Sequence, residues 1–286
     1  MVYIIHGATG AQGSPVLTAL LASGRNAVAA VRDSTSVPAG IDAVAVELTD
    51  APSLAAAYAG ADGVFVHLPM GSPSDGSAQA AAIAAAVAEA RPGRVVISTS
   101  GQIVDDHGSP LQAADDSPIM SLIRDVTATG IPTAIVAPRL YLENLQLPVV
   151  ADSIQEEGVL RYPLPTDYPV SWSSHQDVAD VVVQLLTGPL VTGTIALGHL
   201  PGLTGQDLAT AFATYLGRQV HFEAITPEVL GDLIAPIFGP ASLPVVGLYR
   251  ALNAQEANVI DDLNSAQKVL GISPRPVLEW LAEATA

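Results

Sequence analysis

Short apolar, β-branched runs alternate with alanine-rich stretches of helical spacing through the first 140 residues. Residues 2–6 (VYIIH) predict a strand, and 11–23 predict a helix closed by Gly24. Two further strands are expected at 26–31 (NAVAAV) and 42–47 (DAVAVE), with a short helix at 52–59. Residues 62–68 (DGVFVHL) predict the fourth strand, and 77–90 the helix that Pro92 and Gly93 stop. A strand at 94–100 (RVVISTS), a helix around 117–129 and a strand at 132–138 (PTAIVAP) complete the run. Strands apolar at nearly every position belong in a parallel sheet covered on both faces. The βαβαβ order from the first residue predicts an α/β fold with a Rossmann-type doubly wound parallel sheet.

After about residue 140 the rhythm loosens. A helix from Leu142 to Glu157, proline-rich turns at 163–169 and a helix over 174–187 are expected. The last opens Ser-His-Gln-Asp, an N-cap followed by an acidic first turn. Residues 200–286 hold short helices and one strand at QVHFEAI, which predicts a smaller C-terminal α/β lobe. The expected division is a Rossmann domain over 1–150, with segments around 168–198 returning to it, and a second lobe over 151–286.

Composition narrows the function. With 49% hydrophobic and 14% charged residues, the 286-residue chain has ample core material and no long disordered tract. It contains no cysteine, which excludes disulfides, thiolate metal sites and a thiol nucleophile. The histidines are scattered, with no metal-ligand spacing. The formal net charge is -17 and the only lysine is Lys268, so neither nucleic acid nor an anionic membrane is an expected partner. No basic leader precedes the first strand, and Pro and Gly break the longest uncharged stretches. We therefore expect no signal peptide, no transmembrane helix and a cytoplasmic location.

The chemistry begins at IIHGATGAQG, residues 4–13. Gly7, Gly10 and Gly13 are spaced G-x-x-G-x-x-G between a strand and a helix. A pyrophosphate site needs a tight turn, close backbone approach and free N–H groups at a helix start. An ordinary strand-to-helix turn is the alternative; the position at the head of a βαβ unit favours a dinucleotide. Residues Gly7, Ala8, Thr9, Gly10, Ala11, Gln12 and Gly13 would form the cradle. The second strand ends VRDSTS. An arginine there suits the 2′-phosphate of NADP(H), whereas a carboxylate suits the ribose 2′-hydroxyl of NAD. Arg32, with Ser34 or Ser36 as helpers, points to NADP(H), while Asp33 leaves NAD open. Strand ends facing the crevice add His67, Leu68 and Pro69 after the fourth strand and Ser98 after the fifth. Ser98, Thr99 and Ser100 at that strand end are candidate hydroxyls, in the place where short-chain reductases keep one that polarises the acceptor. His107, beside Asp105 and Asp106 in a polar loop, is a candidate proton donor. His6 reads as a core residue, and Asp177 and Asp180 as helix-start charges.

GATGAQG, the VRD ending and YLENL at 141–145 together resemble the NmrA-like family of atypical short-chain dehydrogenases/reductases. LTDAPSLAAAYAGADGVF, SSHQDVADVV and DDLNSAQKVLGISPRPVLEWL extend the resemblance over nearly the whole chain. The resemblance implies a Rossmann domain and a small substrate-binding lobe with NADP(H) between them. That family includes quinone reductases, triphenylmethane-dye reductases and relatives of isoflavone reductase, besides regulators that bind the dinucleotide and catalyse nothing.

Two departures matter. No tyrosine has a lysine four residues on, so the Tyr-x-x-x-Lys pair of short-chain reductases is absent. In the family a Lys or His often opens the helix before the sixth strand; counting back from Gly130 puts Ile119 there. An NAD-linked epimerase or dehydratase normally needs the same missing pair. A conjugated acceptor spreads the negative charge and takes its proton from water, so it tolerates the loss. The expected activity is an NADPH-dependent reduction of a hydrophobic quinone, enone or other conjugated acceptor. A non-catalytic NADP(H)-sensing protein is the alternative, motivated by Ile119. Tyr141, Ser100 and His107 are the candidate catalytic groups, and Asn144 a structural one. Residues 233–249 (LIAPIFGPASLPVVGLY) carry no charge and include Pro236, Pro240 and Pro244. In the family this region lines the substrate cleft, so the resemblance implies an apolar wall or lid that no long helix crosses, with lobe core as the alternative. A homodimer is an admitted assembly.

Overall fold

The computed structural model describes residues 1–284. Its first part runs β1 (Val2–His6), α1 (Gly13–Ala22), β2 (Asn26–Val31), β3 (Ala43–Ala45), α2 (Ala51–Tyr58) and β4 (Gly63–His67). It continues with α3 (Pro73–Ala90), β5 (Val95–Ser98), α4 (Pro118–Ala128) and β6 (Thr133–Pro138). With the strand Gly193–Leu197 these make a seven-stranded sheet, ordered Gly193–Leu197, β6, β5, β4, β1, β2, β3. The pairs β1–β2, β1–β4, β2–β3, β4–β5 and β5–β6 are parallel. Sequence order reverses at β1, which pairs with β2 on one side and β4 on the other. That reversal is the topological switch point of a doubly wound sheet, where such folds open a ligand crevice. The register sets His67 opposite Ser98, so β4 and β5 end level.

The strands are buried on both faces as their continuous apolar character requires: Val64, Phe65, Val66, Val95 and Ile97 are all fully enclosed. Helix starts follow capping chemistry. Ser72 Oγ accepts from the Asp75 N–H, and Ser117 Oγ from the Met120 N–H. Pro73 and Pro118 each follow, where no N–H is needed. This cap starts α3 at Pro73, ahead of the expected residue 77. The expected helix over 142–157 is two pieces, a 3-10 turn Leu142–Gln146 and a helix Pro148–Glu157. The proline ring holds Leu147 extended (φ -55, ψ 134) and forces a restart.

Two compact units emerge. The sheet unit comprises Met1–Pro138, His175–Ala196 and Leu263–Ile272; the second comprises Arg139–Ser174, Leu197–Asp262 and Ser273–Ala286. Within the second unit, Val159–Tyr162 pairs in parallel with His221–Ala224, and Leu140–Tyr141 with Trp172–Ser173.

Two prolines of the uncharged stretch lie within helices, and Pro240 sits in the turn Gly239–Ala241 between them. Pro236 lies inside the helix Pro227–Phe238, and Pro244 in the first turn of Ser242–Asn253. Pro236 removes one donor near the helix end, and exposed Asp232 leaves the freed carbonyl open to water. The break comes at Gly239 (φ 55), and the two helices fold back as a hairpin. Arg250 Nε bonds Glu228 Oε1 across it at 2.6 Å. Residues 227–253 are long and apolar enough to cross a membrane as one helix, but the hairpin breaks that length.

Candidate functional site

The glycine turn fits an anion. Gly7 has φ +57, a left-handed conformation that disfavours a side chain. Its N–H reaches Ala30 O at 3.2 Å, and the Gly10 N–H closes onto Gly7 O at 2.8 Å. A β-carbon on Gly7 would stand 2.6 Å from His67 Nε2. One on Gly13 would run into the carbonyls of His6 and Gly7. Ala8 is buried, whereas Thr9, Gly10 and Ala11 are exposed at the tip. Helix α1 starts behind them with no side-chain cap from Gln12 and no acidic residue in its first turn. The positive end of its dipole therefore meets no opposing charge there. A close-packed cradle and an uncapped helix start are what a pyrophosphate requires.

At the end of β2, Asp33 is committed to its own turn. Its Oδ1 accepts from the Thr35 N–H (2.9 Å) and hydroxyl (2.6 Å), and these bonds hold its carboxyl below the ordinary range. Ser36 donates to the Asp33 carbonyl. Ser34 is exposed in the same 3-10 turn. Arg32 is exposed, and its guanidinium makes no ion pair or hydrogen bond among the described residues.

The end of β5 sorts its hydroxyls. Ser98 is fully buried and donates to Gln12 Oε1 at 2.7 Å. Gln12 Nε2 donates to Ser100 Oγ at 2.9 Å, and the Ser100 N–H returns to Ser98 Oγ at 3.3 Å. Ser100 is half-buried and sits at φ +56. Thr99 is fully buried, with its hydroxyl enclosed and unbonded.

Beside the turn, His67 is a strand-end residue whose Nε2 is enclosed without a partner. Burial lowers its pKa, a backbone bond at Leu68 opposes this, and the nearby His175 lowers it further. Leu68 is buried and Pro69 exposed. His6, one residue before Gly7, is sealed in the sheet unit with Nε2 2.7 Å from the Tyr58 hydroxyl. Burial, then His67, pushes its pKa down to about 3. Burial pushes the Tyr58 phenol well above its ordinary range.

His107 is exposed on the loop between β5 and α4, and forms no ion pair with Asp105 or Asp106. Tyr141 is half-buried in the second unit, on the short strand paired with Trp172–Ser173. Asn144 bonds the Tyr162 hydroxyl in that unit. Asp177 is buried in the first turn of His175–Thr187, and Asp180 accepts from Gln176 Nε2 at 3.4 Å. Among the described residues no group of three or more His, Asp or Glu could hold a metal. Ile119 is 1% exposed and packed in the core of the sheet unit with Leu122 and Val126. Sequence reading named Gln12 for phosphate but missed its link to Ser98 and Ser100, and missed Tyr58 as the partner of His6.

The NmrA-like family model matches residues 2–280. An NAD(P)H azoreductase of Xenophilus azovorans is 31% identical over 257 residues, covering 84% of this chain and 82% of the azoreductase. The crystal structure of Citrobacter sp. triphenylmethane reductase complexed with NADP(H) aligns with a TM-score of 0.81 and 19% identity, over 99% of both chains. An NADPH-dependent quinone oxidoreductase from Escherichia coli, complexed with NADPH, aligns at 0.80 with 18% identity over 100% of both chains. At those identities the two structures speak for the fold.

Proposed function

This chain belongs to the NmrA-like family, and from that premise we propose that it is an NADP(H)-dependent reductase. Its acceptor is a small hydrophobic conjugated molecule such as a quinone, enone or azo compound. The carrying observation is the pairing of a glycine cradle at an uncapped helix start with an unpaired Arg32 beside an engaged Asp33. Backbone groups of Gly7, Ala8, Thr9, Gly10, Ala11, Gln12 and Gly13 would hold the pyrophosphate, and Arg32 the 2′-phosphate. Asp33 is already bonded to Thr35, which argues against its use on an unphosphorylated ribose. His67, Leu68 and Pro69 would border the cofactor, with Ser98 acting through Gln12.

When bound, the reduced nicotinamide supplies a hydride; the chain supplies orientation and exclusion of water. Ser100, Tyr141 and His107 are the groups proposed toward the acceptor. A conjugated acceptor suits a chain with no Tyr-x-x-x-Lys, because its charge is delocalised and its proton comes from water. The exposed apolar hairpin residues Leu233, Ile237, Leu243 and Leu248 support a hydrophobic acceptor. The sensing alternative rests on position 119, where a buried isoleucine stands in place of a base.

The test is a fluorescence titration with NADPH, NADP⁺ and NADH, followed by NADPH oxidation with 1,4-naphthoquinone, an azo dye and a triphenylmethane dye. NADPH binding with turnover of at least one acceptor is expected. Binding with no oxidation across the panel would overturn the reductase reading, and no binding would overturn the cofactor reading too.

A further inference from the structure

We propose that Gln12 is a positioning residue that turns the Ser100 hydroxyl outward as a hydrogen-bond donor to the acceptor. This rests on the reductase reading and assigns the Gln12 side chain a task apart from phosphate.

The direction is set by the orientation of the Gln12 amide within a closed ring of three bonds. The Ser100 N–H donates to Ser98 Oγ at 3.3 Å, so that oxygen already acts as acceptor. Ser98 then gives its hydrogen to Gln12 Oε1 at 2.7 Å. With the amide so turned, Nε2 faces Ser100 and donates to its Oγ at 2.9 Å. The hydrogen of the Ser100 hydroxyl is the serine hydrogen left over, and no acceptor meets it among the described residues. An oxygen that accepts one hydrogen bond becomes a better donor of the next.

Two further features single out this hydroxyl. Ser98 is fully buried, and the Thr99 hydroxyl is enclosed, so Ser100 alone of the three is partly open. Ser100 also sits at φ +56, one of two non-glycine residues with positive φ among those described. Such a conformation persists only when its surroundings over-determine it, and the Gln12 ring does so here. The ring also ties the glycine turn to the end of β5, the two segments the proposed reaction must hold in register. The hydroxyl donates a hydrogen bond to the atom that gains negative charge; the proton of the finished product comes from water.

The test is a mutant cycle on the full chain, reading kcat and KM for 1,4-naphthoquinone at saturating NADPH, with NADPH affinity measured separately. Ser100→Ala should lower kcat by about 100-fold while NADPH affinity changes little. Ser98→Ala lets the amide turn, and should lower kcat by about tenfold in the wild-type background. In the Ser100→Ala background it should have no further effect, since it acts only through that hydroxyl. Gln12→Glu keeps the shape but offers Ser100 an acceptor, drawing its hydrogen inward. Its kcat should fall, then recover as pH drops through protonation of the new carboxyl, which can donate again. A merely structural ring predicts an independent loss from Ser98→Ala in both backgrounds and no recovery at low pH; either overturns the proposal. Full kcat in Ser100→Ala overturns it as well. A wild-type chain that binds NADPH and reduces no naphthoquinone fails the reductase reading, and the proposal falls with it.

Discussion

The Nε2 atom of His67 stands 2.6 Å from the place a β-carbon on Gly7 would occupy. The glycine is thus required twice, once by its dihedral of +57° and once by the imidazole against it. The two demands can be separated. Gly7→Ala should destabilise the chain by about 1–2 kcal/mol from the dihedral alone, with more from displaced His67. In a His67→Ala background the second part disappears. Urea denaturation of the four proteins of this cycle checks it; equal costs of Gly7→Ala in both backgrounds would show that the imidazole yields freely.

Arg32 should decide between cofactors. A charge-assisted bond to a phosphate contributes about 1.5–3 kcal/mol, so Arg32→Ala should weaken NADPH by tenfold or more, on the order of that energy. NADH affinity should barely change, because NADH has no 2′-phosphate. Nicotinamide fluorescence titrations of both variants with both cofactors make the comparison, and an equal loss for NADH would remove Arg32 from the 2′-phosphate.

Acid should act through His6. Its folded pKa is about 3 against an ordinary 6.5, with burial the leading cause. Below pH 6.5 the unfolded chain takes up a proton that the folded chain refuses, so stability falls as pH falls, down to about 3. The slope from this group is about 1.4 kcal/mol per pH unit. Burial displaces the pKa of His67 in the same direction, so its effect on stability has the same sign. In His6→Gln, unfolding free energy measured between pH 7 and pH 4 should decline less steeply than in wild type. Parallel profiles would mean that His6 is protonated in the folded chain.

The second unit should depend on a tyrosine pair. Tyr162 on the strand Val159–Tyr162 and Tyr249 on the helix Ser242–Asn253 are both buried and share a short hydroxyl–hydroxyl bond. Burial raises both phenols, Tyr249 to about 12. Tyr162 also bonds Asn144, so Tyr162→Phe breaks two links and Tyr249→Phe one. Each lost bond should cost about 1 kcal/mol. Tyr249→Phe should also raise hydrogen exchange along residues 242–253. Equal stability losses in the two variants would deny Asn144 a part in the network.

The expected elements recur in order because strand and helix patterns are local. Continuous apolar runs announce buried parallel strands, and glycine spacing announces the turn after β1. Where local signals misled, a neighbour explains it. Pro236 looked like a helix stop, but a proline in a last turn costs a single bond that water replaces. Packing also decides which face of α4 turns to the core, and it buries Ile119 with Leu122 and Val126.

By itself, then, the sequence determined the sheet, the glycine turn, the arginine at the end of β2 and the pool of candidate polar groups. Tertiary structure alone decided which of those groups meet. Gln12 reaches Ser98 and Ser100 across 86 and 88 residues, and His6 reaches Tyr58 across 52. Spacing along a chain carries the period of a helix or strand over a few residues. Which hydroxyl bonds which amide depends on strand order and register, and those are set when the whole sheet assembles.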